Sequence, residues 1–396
     1  MQPRSYQLAA IEAVRVACAG PVKPRGIIAM PTGSGKGWLA GMLPEAMGSR
    51  ATLFIAHREE LIEQLVKHIE RAMPGARIGV ERAEERARPM HNIVVASVPT
   101  LVARDCRRLK ALGRDRFGGL VTDESHHGVA PGYLSIYRHF GLLDDRNCKT
   151  PSPLIPHIGL TATPGRGDGV GLNNVFDSIL YQYKLQDCIR DGWLVPIRAF
   201  TVLTGVSLDK IRMVAGDYNE KELARAVATH ERNAAVFDAC QLHCPSLKTL
   251  IFCVNVQHSV EMADFFRERG RQSRWIAGTM SGEERKECLS WFRRTPGAVL
   301  GNCQIATEGV DIPSIEAVVM ARPTKSKTLF AQCIGRGTRL ADGAWDYAQS
   351  CELGKRELVL LDVTDTSSRI GAAAVNIADI WGLPLRERKL DGELLE

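Results

Sequence analysis

The chain is 396 residues long, which exceeds one compact hydrophobic core and predicts two domains. Its apolar content of 45% and charged content of 24% are typical of globular proteins, and no apolar run is long enough to span a bilayer. The net charge of +6 is compatible with a polyanionic partner without establishing one. Scattered cysteines, eleven in number, and a start without an apolar signal segment predict reduced thiols and a cytoplasmic location.

The first half of the chain alternates short apolar segments with amphipathic ones. The predicted strands are residues 26–30, 51–56, 92–97, 119–123 and 157–161. Stretches with helical periodicity, such as residues 59–69, lie between them. Short apolar strands that alternate with helices predict a parallel sheet covered on both faces, with ligands bound at the C-terminal ends of the strands.

The second half repeats this alternation after a weaker stretch. Residues 165–171, with a glycine at every second position, are predicted to be a loop, and the pattern stays weak to residue 207 as the chain crosses to a second unit. A predicted helix over residues 220–244 leads into strands at 249–254, 274–277, 298–302, 317–320 and 358–363, with helices at 258–269 and 283–293. The predicted fold is α/β with two tandem domains, residues 1–197 and 198–366, followed by a tail over residues 367–396.

A glycine-rich segment, residues 30–37 (MPTGSGKG), follows the first predicted strand and precedes a predicted helix. This is the context of a phosphate-binding loop, because glycines let backbone N–H groups surround a phosphate and the helix N-terminus adds partial positive charge. Lys36 supplies a full charge, whereas Gly37 stands where a Thr or Ser hydroxyl normally holds Mg²⁺. We expect a water to take that position, with reduced turnover rather than loss of ATP binding.

Two adjacent acids, Asp123 and Glu124, end another predicted strand. In enzymes with a phosphate-binding loop, Mg²⁺ and the attacking water are handled at such a strand end. Asp123 is predicted to hold Mg²⁺, largely through water, and Glu124 to orient or deprotonate the attacking water. Adjacent acids alone are equally consistent with a solvated strand end, and the loop upstream favours the functional interpretation.

A series of further motifs follows the chain in order. They are RSYQ at residues 4–7, the phosphate-binding loop, AHRE at 56–59, ASVPTL at 96–101, DESH at 123–126, TATP at 161–164, LIFC at 250–253, ATEGVDIP at 306–313 and QCIGRGTR at 332–339. In this order they resemble the motifs of superfamily 2 DExH-box helicases and translocases, most closely those of the RadD-like and type III restriction helicase branch. The resemblance implies two tandem RecA-like domains with ATP held in a cleft between them.

The resemblance also implies a role for each matching residue. ATP with Mg²⁺ would be bound by Arg4, Gln7, Pro31, Thr32, Gly33, Ser34, Gly35, Lys36, Gly37 and Asp311. Catalysis would use Lys36, Asp123, Glu124, Gln332, Arg336 and Arg339, and the spacing of the two arginines predicts that both lie on one face of a helical turn. Nucleic acid would be contacted by Arg58, Thr100 and Thr307.

These roles imply an ATP-dependent helicase or translocase that acts on single-stranded or forked nucleic acid. DNA is preferred over RNA as the substrate, and repair, replication or restriction is the implied setting, with a protein partner in such a complex as an additional hypothesis. Two alternatives stay open. One is an RNA helicase, and the other is a nucleotide-gated nucleic-acid binding module whose ATPase is weak because Gly37 lacks a hydroxyl.

Overall fold

The computed structural model describes residues 3–162, 171–214, 216–303, 312, 314–366 and 375–377. These residues separate into two compact units, the first ending at Leu185 and the second beginning at Gln186. Two predicted site residues, Thr307 and Asp311, lie outside the described residues, as does most of the predicted tail. Within the described ranges, no helix is long and apolar enough to cross a membrane.

The first unit is built on one seven-stranded parallel sheet. Its strands are β1 (Arg25–Ala29), β2 (Thr52–Ala56), β3 (Ile78–Glu81), β4 (Ile93–Ser97), β5 (Gly119–Thr122), β6 (His157–Thr161) and β7 (Ser178–Gln182). They are ordered β3-β4-β2-β5-β6-β1-β7, and every pair is parallel. The helices of this unit are α1 (Ser5–Ala19), α2 (Lys36–Ala46), α3 (Glu59–Ala72), α4 (Val98–Leu112) and α5 (Pro131–His139), and α6 (Leu185–Arg190) begins at the boundary.

Central strands of this sheet are buried along their whole length, because helices cover both faces. Alternate residues such as Ile27 and Leu53 pack in a cluster with Leu101 of α4 and Tyr137 of α5. Phe54, which follows Leu53, is also fully buried, and α3 contacts β2 and β4. Continuous apolar strands are therefore explained by two covered faces rather than by one.

The second unit repeats the architecture with a six-stranded parallel sheet. Its strands are β8 (Ile197–Ser207), β11 (Thr249–Phe252), β12 (Ser273–Ala277), β13 (Val299–Cys303), β14 (Ala317–Met320) and β15 (Leu358–Thr366), in the order β12-β13-β11-β14-β15-β8. A separate antiparallel pair joins β9 (Met213–Val214) to β10 (Asp217–Tyr218). The helices are α7 (Glu220–Val227), α8 (His230–His243), α9 (Val256–Glu268), α10 (Gly282–Arg294), α11 (Lys327–Gly337) and α12 (Tyr347–Glu352).

Alternation along strand β11 shows the two covered faces of the second sheet. Leu250 and Phe252 belong to a core that includes Phe330 of α11, whereas Ile251 belongs to a core that includes Phe266 of α9. The predicted α/β class, with parallel sheets and helices on both faces of each, is therefore confirmed.

The middle of the chain differs from the sequence prediction in two places. No strand was predicted between residues 165 and 207, but this stretch includes β7 at the edge of the first sheet and the eleven-residue β8 at the edge of the second. The predicted loop over residues 165–171 lies almost entirely outside the described residues. Edge strands expose one side, so their sequences lack the continuous apolar run of central strands. The single helix predicted over residues 220–244 is two helices, because Thr229 caps a new helix by accepting the N–H of Arg232.

Candidate functional site

Three neighbouring strands of the first sheet, β5, β6 and β1, bring three motifs to one edge of the sheet, the edge formed by the C-terminal ends of the strands. The glycine-rich loop follows β1, the acid pair follows β5, and Thr161 ends β6 between them. The N–H of Met30 donates to the carbonyl of Thr161 at 2.9 Å, which extends the β1–β6 pairing into the loop. Parallel strands end at a common edge, so motifs about 90 residues apart in the chain become neighbours.

The glycine-rich loop has the backbone conformation that its glycines permit. Gly33 and Gly35 both have positive φ, 88° and 85°, and Gly35 caps the N-terminus of α2 in the left-handed region. The Ser34 hydroxyl donates to the carbonyl of Pro31 at 2.7 Å, which closes the turn. Lys36 is the first residue of α2, and its Nζ donates to the carbonyl of Met30 at 3.2 Å. The loop therefore presents a helix N-terminus and a lysine at the strand edge.

Side chains of helix α1 donate hydrogen bonds to this loop. The Tyr6 hydroxyl donates to the carbonyl of Ser34 at 2.6 Å, and Gln7 Nε2 donates to the carbonyls of Ser34 and Gly35 at 3.4 and 3.3 Å. Gln7 Oε1 in turn accepts the backbone N–H of Arg4 at 2.9 Å. Gln7 thus contacts the loop directly, and Arg4 contacts Gln7 and the Tyr6 hydroxyl. The contribution of Tyr6 was missed, although it stands between them in the RSYQ motif.

The acid pair is held in a tight turn at the end of β5. The Oδ1 atom of Asp123 accepts the N–H of Glu124 at 3.0 Å. Glu124 is buried and has a φ of 45°, an uncommon conformation for a residue other than glycine. His126 Nδ1 lies 3.4 Å from Glu124 Oε2 and 3.4 Å from Thr161 Oγ1. The imidazole of His126 therefore connects the acid pair to the end of β6.

A row of imidazole rings continues from this turn towards β2. The ring of His127 lies 4.2 Å from that of His126 and 4.3 Å from that of His57, measured between ring centroids. His57 directly follows β2. The motif after β2 and the turn that follows the acid pair are therefore in side-chain contact, which the sequence alone did not predict.

Beneath the acid pair, a buried polar group supports the end of β5. Thr122 Oγ1 lies 3.0 Å from the hydroxyl of Tyr137 and 2.8 Å from Nε2 of His157. Burial, with the positive charge of Arg25, lowers the pKa of His157 to about 3, so its ring is neutral at physiological pH. Burial also raises the pKa of Tyr137 well above its usual value.

At Gly37, the structure shows a neighbour that the sequence did not predict. The imidazole of His68, from α3, lies against this glycine: Nδ1 is 2.1 Å from the point where a Cβ on Gly37 would be. A side chain at position 37 would therefore require this ring to move. The expectation that a water takes the place of the hydroxyl on Mg²⁺ stays a prediction.

The predicted nucleic-acid contacts lie further along the same edge of the sheet. Arg58 caps the N-terminus of α3 after β2, and Thr100 lies in the first turn of α4 after β4. Strands β2 and β4 are neighbours, and β2 also pairs with β5. The Thr100 hydroxyl accepts the N–H of Ala83 at 3.4 Å. Arg58 and Thr100 therefore share an edge with the glycine-rich loop and the acid pair.

In the second unit, the described site residues are at the end of α11. Gln332 and Arg336 lie on this helix and are only 4% and 6% exposed. A Cβ on Gly337 would lie 2.3 Å from a methyl carbon of Leu358, so Gly337 lets α11 pack closely on this residue of β15. Because α11 ends at Gly337, Arg339 lies beyond the helix, and the prediction that both arginines lie on one helical turn was wrong.

Arg339 is buried, and its positive charge disfavours a second positive charge nearby. Burial lowers its pKa to about 10. Burial and the charge of Arg339 together lower the pKa of Lys355 to about 7. The N–H of Val195 donates to the carbonyl of Thr338 at 2.9 Å, which fixes the chain just before Arg339.

The donors at the strand edge of the first unit fit Mg²⁺ with a bound nucleotide. Mg²⁺ is usually held by one or two carboxylates and retains several waters. Asp123 supplies a carboxylate that is partly exposed at the end of β5, and the loop with Lys36 suits phosphate groups. Gly37 supplies no oxygen donor from its side chain.

Both halves of the chain match described families. Residues 1–166 match the type III restriction enzyme, res subunit family, and residues 234–341 match the helicase conserved C-terminal domain. The putative mitochondrial ATP-dependent helicase irc3 of Schizosaccharomyces pombe is 32% identical over 360 residues, which cover 88% of this chain and 55% of that protein. The type I restriction enzyme EcoAI endonuclease subunit of Escherichia coli is 27% identical over 85% of this chain and 44% of that protein.

A solved structure shares the fold. The fragment structure of a putative HsdR subunit of a type I restriction enzyme from Vibrio vulnificus YJ016 is similar with a TM-score of 0.67 and 24% identity, covering 91% of this chain and 64% of that one. The chain spans about half the length of the curated relatives it matches. With its ordered motifs, two parallel α/β units and two family matches, the chain belongs to the superfamily 2 helicases, in the branch of the type III restriction enzyme res subunit.

Proposed function

We propose that this chain is an ATP-dependent translocase or helicase that acts on DNA. The observation that carries the proposal is the arrangement of one sheet edge. The glycine-rich loop, Thr161 and the acid pair follow three neighbouring strands, β1, β6 and β5, and Arg58 and Thr100 follow the next two, β2 and β4. A nucleotide site and a nucleic-acid site on one edge allow the state of one to affect the other.

In the nucleotide site, the loop and Lys36 are proposed to bind the β- and γ-phosphates of ATP. The backbone N–H groups of the loop and the N-terminus of α2 favour negative charge. Mg²⁺, when bound, would neutralise charge on the phosphates, and Asp123 is the carboxylate proposed to hold it, largely through water. Arg4 and Gln7 are proposed to recognise the base. Gln7 contacts the loop, and Arg4 donates its backbone N–H to Gln7.

Glu124 is proposed to orient the attacking water and to accept its proton. The side chain is buried at the strand edge, and His126 lies between it and Thr161. This contact would fix the direction of the carboxylate, which a general base requires. Thr161 ends β6, and His126 contacts both Thr161 and Glu124. A movement of the acid pair would therefore also move the motif that follows β6.

The second unit is proposed to complete catalysis. Guanidinium groups suit phosphate oxygens because they donate in pairs and stay charged, so Arg336 and Arg339 are proposed as arginine fingers and Gln332 as a residue that places water. Asp311 is proposed to contact the nucleotide and Thr307 the nucleic acid; both lie outside the described residues.

DNA is proposed as the substrate because relatives named for restriction enzymes match the chain over most of its length. Arg58 and Thr100 would contact the sugar-phosphate backbone, and such contacts carry little sequence information. Repair, replication or restriction is the proposed setting, with a protein partner in such a complex.

The test is phosphate release from ATP, titrated in parallel with single-stranded DNA, duplex DNA, forked DNA and RNA. The proposal expects release to rise most with single-stranded or forked DNA. Equal or greater stimulation by RNA would favour an RNA helicase instead. Stimulation by duplex DNA alone would indicate translocation on duplex rather than strand separation.

A second candidate is a nucleotide-gated DNA-binding module with weak ATPase. The observation that favours it is Gly37, which removes the hydroxyl normally found beside the nucleotide metal. If the chain is such a module, its DNA affinity changes with the bound nucleotide, and phosphate release stays at its basal rate with every nucleic acid. DNA affinity measured with and without a non-hydrolysable ATP analogue distinguishes it from a motor.

A further inference from the structure

The contact between His68 and Gly37 arises from close packing of two helices. Gly37 and Gly41 are one turn apart on α2, and neither has a side chain facing α3. A Cβ on Gly41 would lie 2.4 Å from the Cβ of Ala72, and a Cβ on Gly37 would lie 2.1 Å from Nδ1 of His68. The two glycines therefore let α3 approach α2, and His68 fills the space nearest to the glycine-rich loop.

The ring of His68 lies in the region that a hydroxyl-bearing residue would occupy. Its Nδ1, Cγ and Cε1 atoms lie 2.1, 2.6 and 2.7 Å from the Cβ point on Gly37, which immediately follows Lys36. In loops with Thr or Ser, the hydroxyl that faces the nucleotide metal is attached to this carbon. Here a nitrogen donor from another helix is adjacent to the same point, and the imidazole is partly exposed.

We propose that His68 replaces the missing hydroxyl and supplies a nitrogen on the metal side of the nucleotide site. This inference rests on the proposed function and names the residue that sets the site's metal preference. Oxygen donors suit Mg²⁺, whereas imidazole suits transition-metal ions, for which affinity rises from Mn²⁺ to Co²⁺ and Ni²⁺. The site therefore accepts Mn²⁺ or Co²⁺ with nucleotide better, relative to Mg²⁺, than a site with a hydroxyl does.

The chain contains a similar contact away from the glycine-rich loop. His91 Nδ1 lies 2.1 Å from the Cβ point on Gly79, in the edge strand β3, and also accepts the N–H of Arg88 at 3.0 Å. Packing can therefore produce a histidine–glycine contact of this kind, and the two pairs differ in their location. Only Gly37 adjoins the glycine-rich loop, so His91→Phe is the control for His68→Phe. Both substitutions keep a ring in the space and remove the nitrogens.

The experiment measures binding of ADP with Mn²⁺ and with Mg²⁺, and pulsed electron paramagnetic resonance of the Mn²⁺–ADP complex. The protein carries ¹⁵N-labelled histidine. We expect a ¹⁵N coupling to Mn²⁺ in the unmodified chain and in His91→Phe, and none in His68→Phe. We also expect His68→Phe to weaken ADP binding with Mn²⁺ by about tenfold and to leave binding with Mg²⁺ less affected.

A second variant restores the hydroxyl. Gly37→Thr alone collides with the ring, so it is combined with His68→Ala. This double variant is expected to lose the ¹⁵N coupling and to shift its preference towards Mg²⁺. If His68→Phe does not fold, as judged by circular dichroism, the double variant and His68→Gln carry the test.

The outcomes separate this inference from the proposed function. ADP binding with Mn²⁺, but without ¹⁵N coupling and with the same metal preference in all variants, would show that His68 only packs against Gly37, and the nucleotide site would stand. Failure of the unmodified chain to bind ATP or ADP with either metal would overturn the proposed function and this inference with it.

Discussion

The hydroxyl of Tyr6 donates a 2.6 Å hydrogen bond to the carbonyl of Ser34, the residue between the two left-handed glycines of the loop. Tyr6 is fixed in turn by the ring of Tyr183, which stacks on it at 4.5 Å between centroids. The conformation of the glycine-rich loop therefore depends on a helix that begins 29 residues before Ser34. This contact gives α1 a role in nucleotide binding beyond any direct contact with the base.

Tyr6→Phe is expected to weaken nucleotide binding while keeping the stacked ring. Loss of one buried hydrogen bond costs about 1 kcal/mol, which corresponds to about fivefold in affinity if the loop loses its bound conformation. The measurement is titration of a fluorescent ADP analogue, with the thermal unfolding temperature as control. An unchanged affinity with a lowered unfolding temperature would mean that the bond serves only stability.

Arg25→Met is expected to destabilise the first unit by about 3 kcal/mol. Arg25 is buried, donates to Asp177 at 2.9 Å, and also donates to the carbonyls of Leu142 and Thr150 at 2.9 and 2.8 Å. Urea unfolding measures the change. Arg15→Met is the control, because that arginine pairs with Glu12 at the surface and its loss should change stability by less than about 1 kcal/mol. Similar losses of unfolding free energy in both variants would show that the buried contacts of Arg25 contribute no more than a surface ion pair.

Stability is expected to fall as the pH is lowered from about 6.5. Burial lowers the pKa values of His157 in the first unit and His258 in the second to about 3, so both are neutral in the folded chain. Between pH 6.5 and 3, the unfolded chain binds protons that the folded chain does not, and each histidine contributes about 1.4 kcal/mol per pH unit.

The unfolding free energy, measured between pH 6.5 and 5, checks this pH dependence. In that window few carboxylates titrate. His157→Gln should reduce the slope for the first unit by about one proton. His243→Gln, at a partly exposed site in the second unit, should change the slope for that unit far less. A slope that His157→Gln leaves unchanged would show that the folded chain protonates this ring.

Gly337→Ala is expected to destabilise the second unit by about 1–3 kcal/mol, because the added methyl group would overlap Leu358 and crowd Val318. Gly282→Ala, on α10, is the matched control: nothing lies within 4 Å of its Cβ point, and alanine favours helix. Chemical denaturation of both variants measures the difference. Equal stability of the two would mean that α11 shifts without cost.

Much of the nucleotide site could be predicted from sequence because its residues are contiguous. Residues 30–37 follow a buried strand, and the acid pair follows another, so the strand ends place them without knowledge of the packing. Arg58 and Thr100 also follow predicted strands, so the same reasoning about strand ends applies to them. What holds these residues, such as the contact of Tyr6 with Ser34, depends on helix packing and was not predictable from local pattern.

Other features could not be predicted because they depend on distant parts of the chain. Strand β8 pairs with β15, about 160 residues later, and its edge position leaves no continuous apolar run. The close packing of Gly337 in α11 on Leu358 in β15 also joins residues that are distant in the chain. Likewise, the sequence showed only that Gly37 lacks a hydroxyl. That His68 lies beside it depends on the packing of α3 against α2.

The most direct test of the central claim compares the unmodified chain with Glu124→Gln in ATP hydrolysis with and without single-stranded DNA. The amide keeps the size of the side chain but cannot accept a proton from water. The account predicts DNA-stimulated phosphate release by the unmodified chain, and loss of about a hundredfold or more in Glu124→Gln with nucleotide binding retained. Measurable ATP binding without DNA-stimulated release, or full activity in Glu124→Gln, would contradict the account.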